Sequence, residues 1–173
     1  MTTAVFGIGS VLMGDDALGP HVVATLQAGF RFPPEVDVRD LGTPGLNFVS
    51  ELAGLEEVIV VDTIAGDAPP GTLRAFEGDE VWRSAPEMRM SPHDPSLAGA
   101  LQTTAMWGGR TLRARLVGAV PGPLVTGQPM SAALRAAVPA LVDEIVRTLR
   151  DWGHVVEPLD APAPPDLWWE TAP

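Results

Sequence analysis

The sequence predicts an α/β protein organised around a twisted, mostly parallel sheet, and three features carry that expectation. Glu57-Val-Ile-Val-Val-Asp62 places four consecutive β-branched residues between two carboxylates, as expected for a strand buried on both faces of a parallel sheet. Apolar, strand-like runs alternate with stretches whose apolar residues recur at helical spacing, in a βαβαβ order. Three of the strand runs lead into aspartate: Asp15-Asp16 after the first, Asp40 at the second and Asp62 at the third. The carboxyl ends of strands in such sheets are where ligands bind.

Taken in order, Thr3 to Phe6 reads as a short apolar strand, and Gly7 and Gly9 free the backbone to turn. A helix follows with Leu18, Val22, Val23 and Leu26 on its buried face, and Asp15 or Asp16 is placed to cap it. Gly7-Ile-Gly9 lacks the third glycine of a dinucleotide fingerprint, and two carboxylates there would repel a pyrophosphate. Val36–Asp40 is a second strand with alternating faces. Gly42-Thr-Pro-Gly45 is a turn, and a helix follows with Leu46, Val49, Leu52 and Ala53 on one face. Beyond Asp62, the cluster Gly66 to Gly71 turns the chain, and Thr72 to Phe76 forms a short strand, antiparallel at the sheet edge. Glu77 to Met90 has no clean period and reads as loop with some helix. Ser91-Pro-His93-Asp94 introduces a helix through Leu97, Leu101 and Thr104.

Leu112 to Val120 is a further strand, stopped by Pro121-Gly-Pro123. Ser131 opens a long helix to about Arg150, buried along Leu134, Val138, Leu141, Ile145 and Leu149, and Pro139 is expected to kink or split it. Residues 1–153 make one domain, and 154–173 form a tail rich in proline, acid and tryptophan. Trp168 and Trp169 are out of place in a free tail and are expected to dock on the domain or on another chain.

At 173 residues the chain is long enough for one well-filled core. A net charge of −11 argues against nucleic acid and anionic membrane surfaces as partners, and suits a cation or a basic partner segment. With no cysteine, disulfides, thiolate zinc sites and cysteine nucleophiles are excluded. No apolar run is long enough to cross a bilayer, and Met1-Thr-Thr carries no basic leader region, so a cytoplasmic location is expected. Neither HExxH nor GxSxG occurs, which leaves zincin and serine-triad chemistry without support.

The remaining chemistry lies in Asp16, Asp62 and His93. His93 falls at or just before a helix N-terminus, where the dipole favours the neutral imidazole that can ligate a metal. Two oxygen donors with one imidazole suit a divalent transition metal that keeps positions open for water or a substrate ligand. Asp15 and Asp40 are left to support those ligands or to accept a proton. Each residue alone has an ordinary reading as cap, turn residue or packed histidine; their convergence on one sheet edge favours a site. His21 and His154 read as structural histidines.

The stretch Gly7-Ile-Gly-Ser-Val-Leu-Met-Gly-Asp-Asp-Ala-Leu-Gly-Pro20 closely resembles the opening signature of the nickel–iron hydrogenase maturation endopeptidases. Asp40-Leu-Gly-Thr-Pro-Gly45, Val58-Ile-Val-Val-Asp62 with Pro70-Gly71, and Ser91-Pro-His93 match further blocks in order. Leu116 to Pro121 and Met130-Ser131 resemble the later strand and helix start. The likeness spans roughly residues 3 to 150. It implies a three-layer α/β/α sandwich of the phosphorylase/hydrolase-like type with about five strands. It also implies an endopeptidase that removes the C-terminal peptide from the nickel–iron hydrogenase large-subunit precursor once nickel is in place. The nickel would be carried by the precursor, with Asp16, Asp62 and His93 as its sensing ligands and Asp40 as a further family aspartate of the catalytic group. Some members carry Glu where this chain has Asp16, one methylene shorter. Two rival readings are a non-catalytic metal-binding or chaperone-like module on the same fold, and a small-molecule or phosphate-site hydrolase. The acidic site and the lack of a P-loop disfavour the second.

Overall fold

A computed structural model describes residues 2–78, 80–81 and 112–170. The elements among them are β1 (Thr3–Gly7), α1 (Leu18–Gly29), β2 (Phe30–Arg31), β3 (Val36–Asp40), α2 (Phe48–Glu51), β4 (Glu57–Thr63), β5 (Leu73–Glu77), β6 (Arg113–Ala119), α3 (Ala132–Asp151) and β7 (Glu157–Pro158). Single 3-10 turns cover Gly14–Ala17, Gly45–Asn47 and Trp168–Glu170. Five strands form one sheet in the order β3-β1-β4-β6-β5. The first four run parallel, and β5 pairs antiparallel with β6 at the edge.

Alternation along the strands builds the layers. Val5, Ile59, Val61 and Val117 point to one face, where Leu18, Val22 and Leu26 of α1 meet Leu134, Leu141 and Ile145 of α3. Ala4, Phe6, Val58, Val60 and Leu116 point to the other face, against Phe48 and Leu52. Central β4 is buried at six of its seven positions, as its run of β-branched residues requires.

Two helices differ from expectation. α2 is a single turn with Phe48 buried; Leu52, just past its end, is buried too, whereas Ala53 is exposed. Gly42 and Gly45 both take positive φ just upstream, which leaves little chain for a longer helix before β4. Pro139 does not split α3, which runs unbroken from Ala132 to Asp151 behind a Ser131 cap that accepts from the Leu134 N–H. Pro139 is exposed, so the carbonyl it leaves without a helical donor lies on the water-facing side. The expected helix from Ser91 lies outside the described residues. No helix among the described residues is long and apolar enough to cross a membrane.

The segment after α3 folds back on the domain. β7 pairs with β2, and the Leu159 N–H donates to the Gly29 carbonyl at 2.9 Å. Glu170 pairs with Arg135 at 2.7 Å and lies 3.8 Å from Nδ1 of His21. His154 is buried at the starting end of the sheet, with Nε2 2.9 Å from Glu57 Oε2. Thr3 Oγ1 donates to the same carboxylate at 2.9 Å, and Arg113 stands 3.5 Å from Glu57 Oε1. This cluster ties the first residues of β1, β4 and β6 to the end of the chain.

Replacing His154 by Ala leaves Glu57 buried with one fewer partner and should lower unfolding stability by about 1–3 kcal/mol in a urea titration. An unchanged midpoint would mean the cluster contributes nothing net.

Candidate active site

The site begins where β1 meets α1. A side chain on Gly7 would meet the Gly19 carbonyl at 2.6 Å, and one on Gly19 would meet the Val61 carbonyl at 2.7 Å. Only paired glycines let α1 start directly against the ends of β1 and β4. The Ile8 N–H then donates to the Val61 carbonyl at 2.9 Å, carrying the pairing one residue past the strand. Gly9 adopts φ +132°, and a Cβ there would strike the Asp16 carbonyl. The 3-10 turn Gly14–Ala17 is thereby folded over the carboxyl ends of the two central strands.

The two adjacent aspartates have different tasks, and neither caps α1. Asp15 is buried at 2% exposure. It accepts from the Gly122 N–H at 2.7 Å, the Ser131 N–H at 2.6 Å and the Ser131 hydroxyl at 3.1 Å. These bonds fasten the turn to the start of α3, so Asp15 acts as a structural pin. Asp16 is half-buried and, among the described residues, accepts from the Ser10 N–H, at 2.7 Å. Burial raises its pKa above the ordinary carboxylate value, and the Ser10 N–H partly offsets that.

Asp62, next to last in β4, is buried at 8% exposure. Its Oδ1 accepts from the Thr63 N–H at 2.6 Å, with the Thr63 hydroxyl at 3.5 Å. Desolvation pushes its pKa up to about 8; the Thr63 N–H opposes the rise, and the charge of Asp16 adds to it. The fold therefore brings Asp16 and Asp62 into electrostatic contact, two carboxyls that resist ionising together. Asp40, at the end of β3, is exposed, and its Oδ1 accepts from the Gly42 N–H at 2.8 Å. Partial desolvation raises its pKa, with Gly42 opposing. It borders a neighbouring cleft with Trp168 and the 9–12 loop. His93 lies outside the described residues. Among the described residues no three His, Asp or Glu side chains stand close enough to hold a metal ion. The supporting donors, Ser10 and Thr63, were not singled out in the sequence; the Asp-Thr pair ending β4 was the one available signal.

Comparison with known proteins points in one direction. Residues 20–148 match the family model described as hydrogenase maturation protease, a span that contains Asp40, Asp62 and His93 but starts after Asp16. The hydrogenase expression/formation protein HupD of Rhizobium leguminosarum bv. viciae is 32% identical over 166 residues, covering 94% of this chain and 82% of that protein. The hydrogenase 2 maturation protease of Escherichia coli (strain K12) is 27% identical over 162 residues, covering 93% and 98%. Among solved structures, the hydrogenase maturating endopeptidase HybD from E. coli is similar at a TM-score of 0.83 and 26% identity, over 91% of this chain and 98% of that one. The maturation protease HycI from Thermococcus kodakarensis KOD1 shares the fold at a TM-score of 0.70 and 22% identity, over 86% and 92%.

Two substitutions test the reading of the aspartates. Asp62 keeps its proton in the folded state up to about pH 8, whereas the unfolded chain loses it near the ordinary value of 3.8. Folding thus takes up a proton between those limits, and stability falls as pH rises through them. Asp62→Asn removes this loss, so its gain in Tm over the native chain should grow from pH 4 to 8 and level off above. A pH-independent difference would contradict a buried, protonated Asp62. Asp15→Ala orphans two backbone N–H groups and should destabilise by about 2–4 kcal/mol in denaturant unfolding. A loss below half a kilocalorie per mole would remove its role as pin.

Proposed function

The chain belongs to the hydrogenase maturation protease family, and from that premise we propose that it removes the C-terminal peptide of a nickel–iron hydrogenase large-subunit precursor after nickel insertion, reading the inserted metal through Asp16, Asp62 and His93. The observation that supports this most is the Asp16–Asp62 pair. Two desolvated carboxyls, one in the 14–17 turn and one near the end of β4, interact electrostatically, and among the described residues each accepts from a near neighbour. Two oxygen donors make an incomplete cation site by themselves, which suits a metal already held by the precursor's own ligands. His93 enters on the resemblance of the Ser91-Pro-His93 block and adds the imidazole that a borderline divalent ion favours.

The proton on Asp62 gives the recognition step a physical form. A divalent charge brought against the pair favours the ionised carboxylates, so docking of the metal displaces that proton. The nickel of the substrate polarises nearby oxygen, and a carboxylate freed of its proton serves as base toward the water that attacks the scissile peptide. Hydrolysis yields the mature carboxylate end and a released peptide amine. An empty precursor supplies no charge to displace the proton and leaves it on Asp62.

The decisive assay offers the purified chain a large-subunit precursor with and without nickel and reads the product's new C-terminus by mass. Cleavage of the nickel-loaded form alone is expected. Asp16→Ala and His93→Ala should each lower the cleavage rate by about 10²–10⁴-fold with the fold retained. Full cleavage by both variants overturns the ligand assignment. Absence of cleavage by the native chain, with nickel still bound to it, favours the metal-binding module.

A further inference from the structure

We propose that Trp168, on the C-terminal segment, is a substrate-positioning residue: its indole forms one wall of a cleft beside the Asp16 turn that receives a bulky apolar side chain of the precursor near the scissile bond. The inference rests on the proteolytic reading above. The cleft has a volume of about 270 Å³ and is lined by residues 9–12, Asp40, Gly42, Thr43 and Trp168. Its lining includes the loop that carries the Ser10 N–H bound to Asp16, so the cleft adjoins the candidate active site. The volume falls just below the range of small-molecule pockets, about 300–1,000 Å³, and fits one or two side chains.

The surroundings indicate what kind of side chain. Leu12 is 66% exposed and Trp168 63% exposed, and both border this cleft. Leu124 and Val125, at 44% and 46%, lie on the loop that reaches Leu12 through the Gly127 N–H, which donates to the Leu12 carbonyl at 2.8 Å. Four of the six large apolar side chains exposed among the described residues therefore gather around one loop beside the site; the other two are Leu73 and Val155. Apolar surface concentrated in this way marks a place that a partner covers. Among the described residues no lysine or arginine lines the cleft, and the indole that shares it with Leu12 offers a broad apolar face.

The wall is also held in place. Trp169 meets Trp168 edge to face at 5.8 Å, and the next residue, Glu170, is anchored to Arg135 at 2.7 Å. A side chain fixed in its exposed position before binding loses little freedom when the partner arrives. The segment lies beyond residues 20–148, where the family match ends.

The test compares the native full-length chain with Trp168→Ala and Trp168→Phe on the nickel-loaded precursor, alongside binding of the nickel-free precursor. Trp168→Ala should raise KM and the Kd for nickel-free precursor about tenfold, leaving kcat and Tm unchanged, as for removal of an aromatic anchor. Trp168→Phe should restore most of the loss. Unchanged KM and Kd in Trp168→Ala overturn the proposal. So does a rise in kcat/KM, which would mean that the segment obstructs the site. If the native chain cuts neither form, the proteolytic reading fails, and the Kd comparison still decides whether Trp168 contacts the precursor.

Discussion

The contact between Gly7 and Gly19 is the constraint on which the rest of the site depends. Helix and strand approach there backbone to backbone, closer than any side chain permits, with the Val61 carbonyl of β4 in the same contact. That approach fixes where the intervening eleven-residue excursion must run. It folds the Gly14–Ala17 turn over the sheet end, sends Asp15 outward to Gly122 and Ser131, and leaves Asp16 above β4. Larger side chains at either glycine would lift α1 and separate Asp16 from Asp62 without touching a carboxylate.

The buried carboxylates explain why one of them is set apart. Asp15, Glu57, Asp62 and Glu144 are all buried. Asp15 accepts three hydrogen bonds; Glu57 has Thr3, His154 and Arg113; Glu144 is paired with Arg115 and Arg147. Burial of a carboxylate is tolerated where partners replace the lost water. Among the described residues Asp62 accepts from its neighbour Thr63, and the charge that acts on it is another acid, Asp16. A stable fold gains nothing from such an arrangement, whereas a perturbed pair beside a sheet edge is what a site for an incoming cation requires.

Much of this was legible in the sequence, because much of it is local. The β-branched run of β4 and the apolar spacing of α1 state their own burial, and strand ends on aspartate mark one edge of a parallel sheet. What escaped depends on partners far along the chain. Asp15 looks like a helix cap until Gly122 and Ser131, more than a hundred residues away, arrive on its oxygens. Pro139 reads as a break until its ring is seen to face water. Phe48 was passed over because α2 is too short to show a period. The destination of the tryptophans could not be read from residues that repeat no pattern.

The bond between Thr3 and His154 spans 151 positions in the chain. The first strand is therefore clasped by a residue far along the chain, and closing so large a loop carries an entropic cost. A growing chain on the ribosome holds a sheet whose starting end lacks its clasp until residue 154 has emerged. Maturation of another protein by this one thus awaits a maturation of its own, in which His154 locks the first strand.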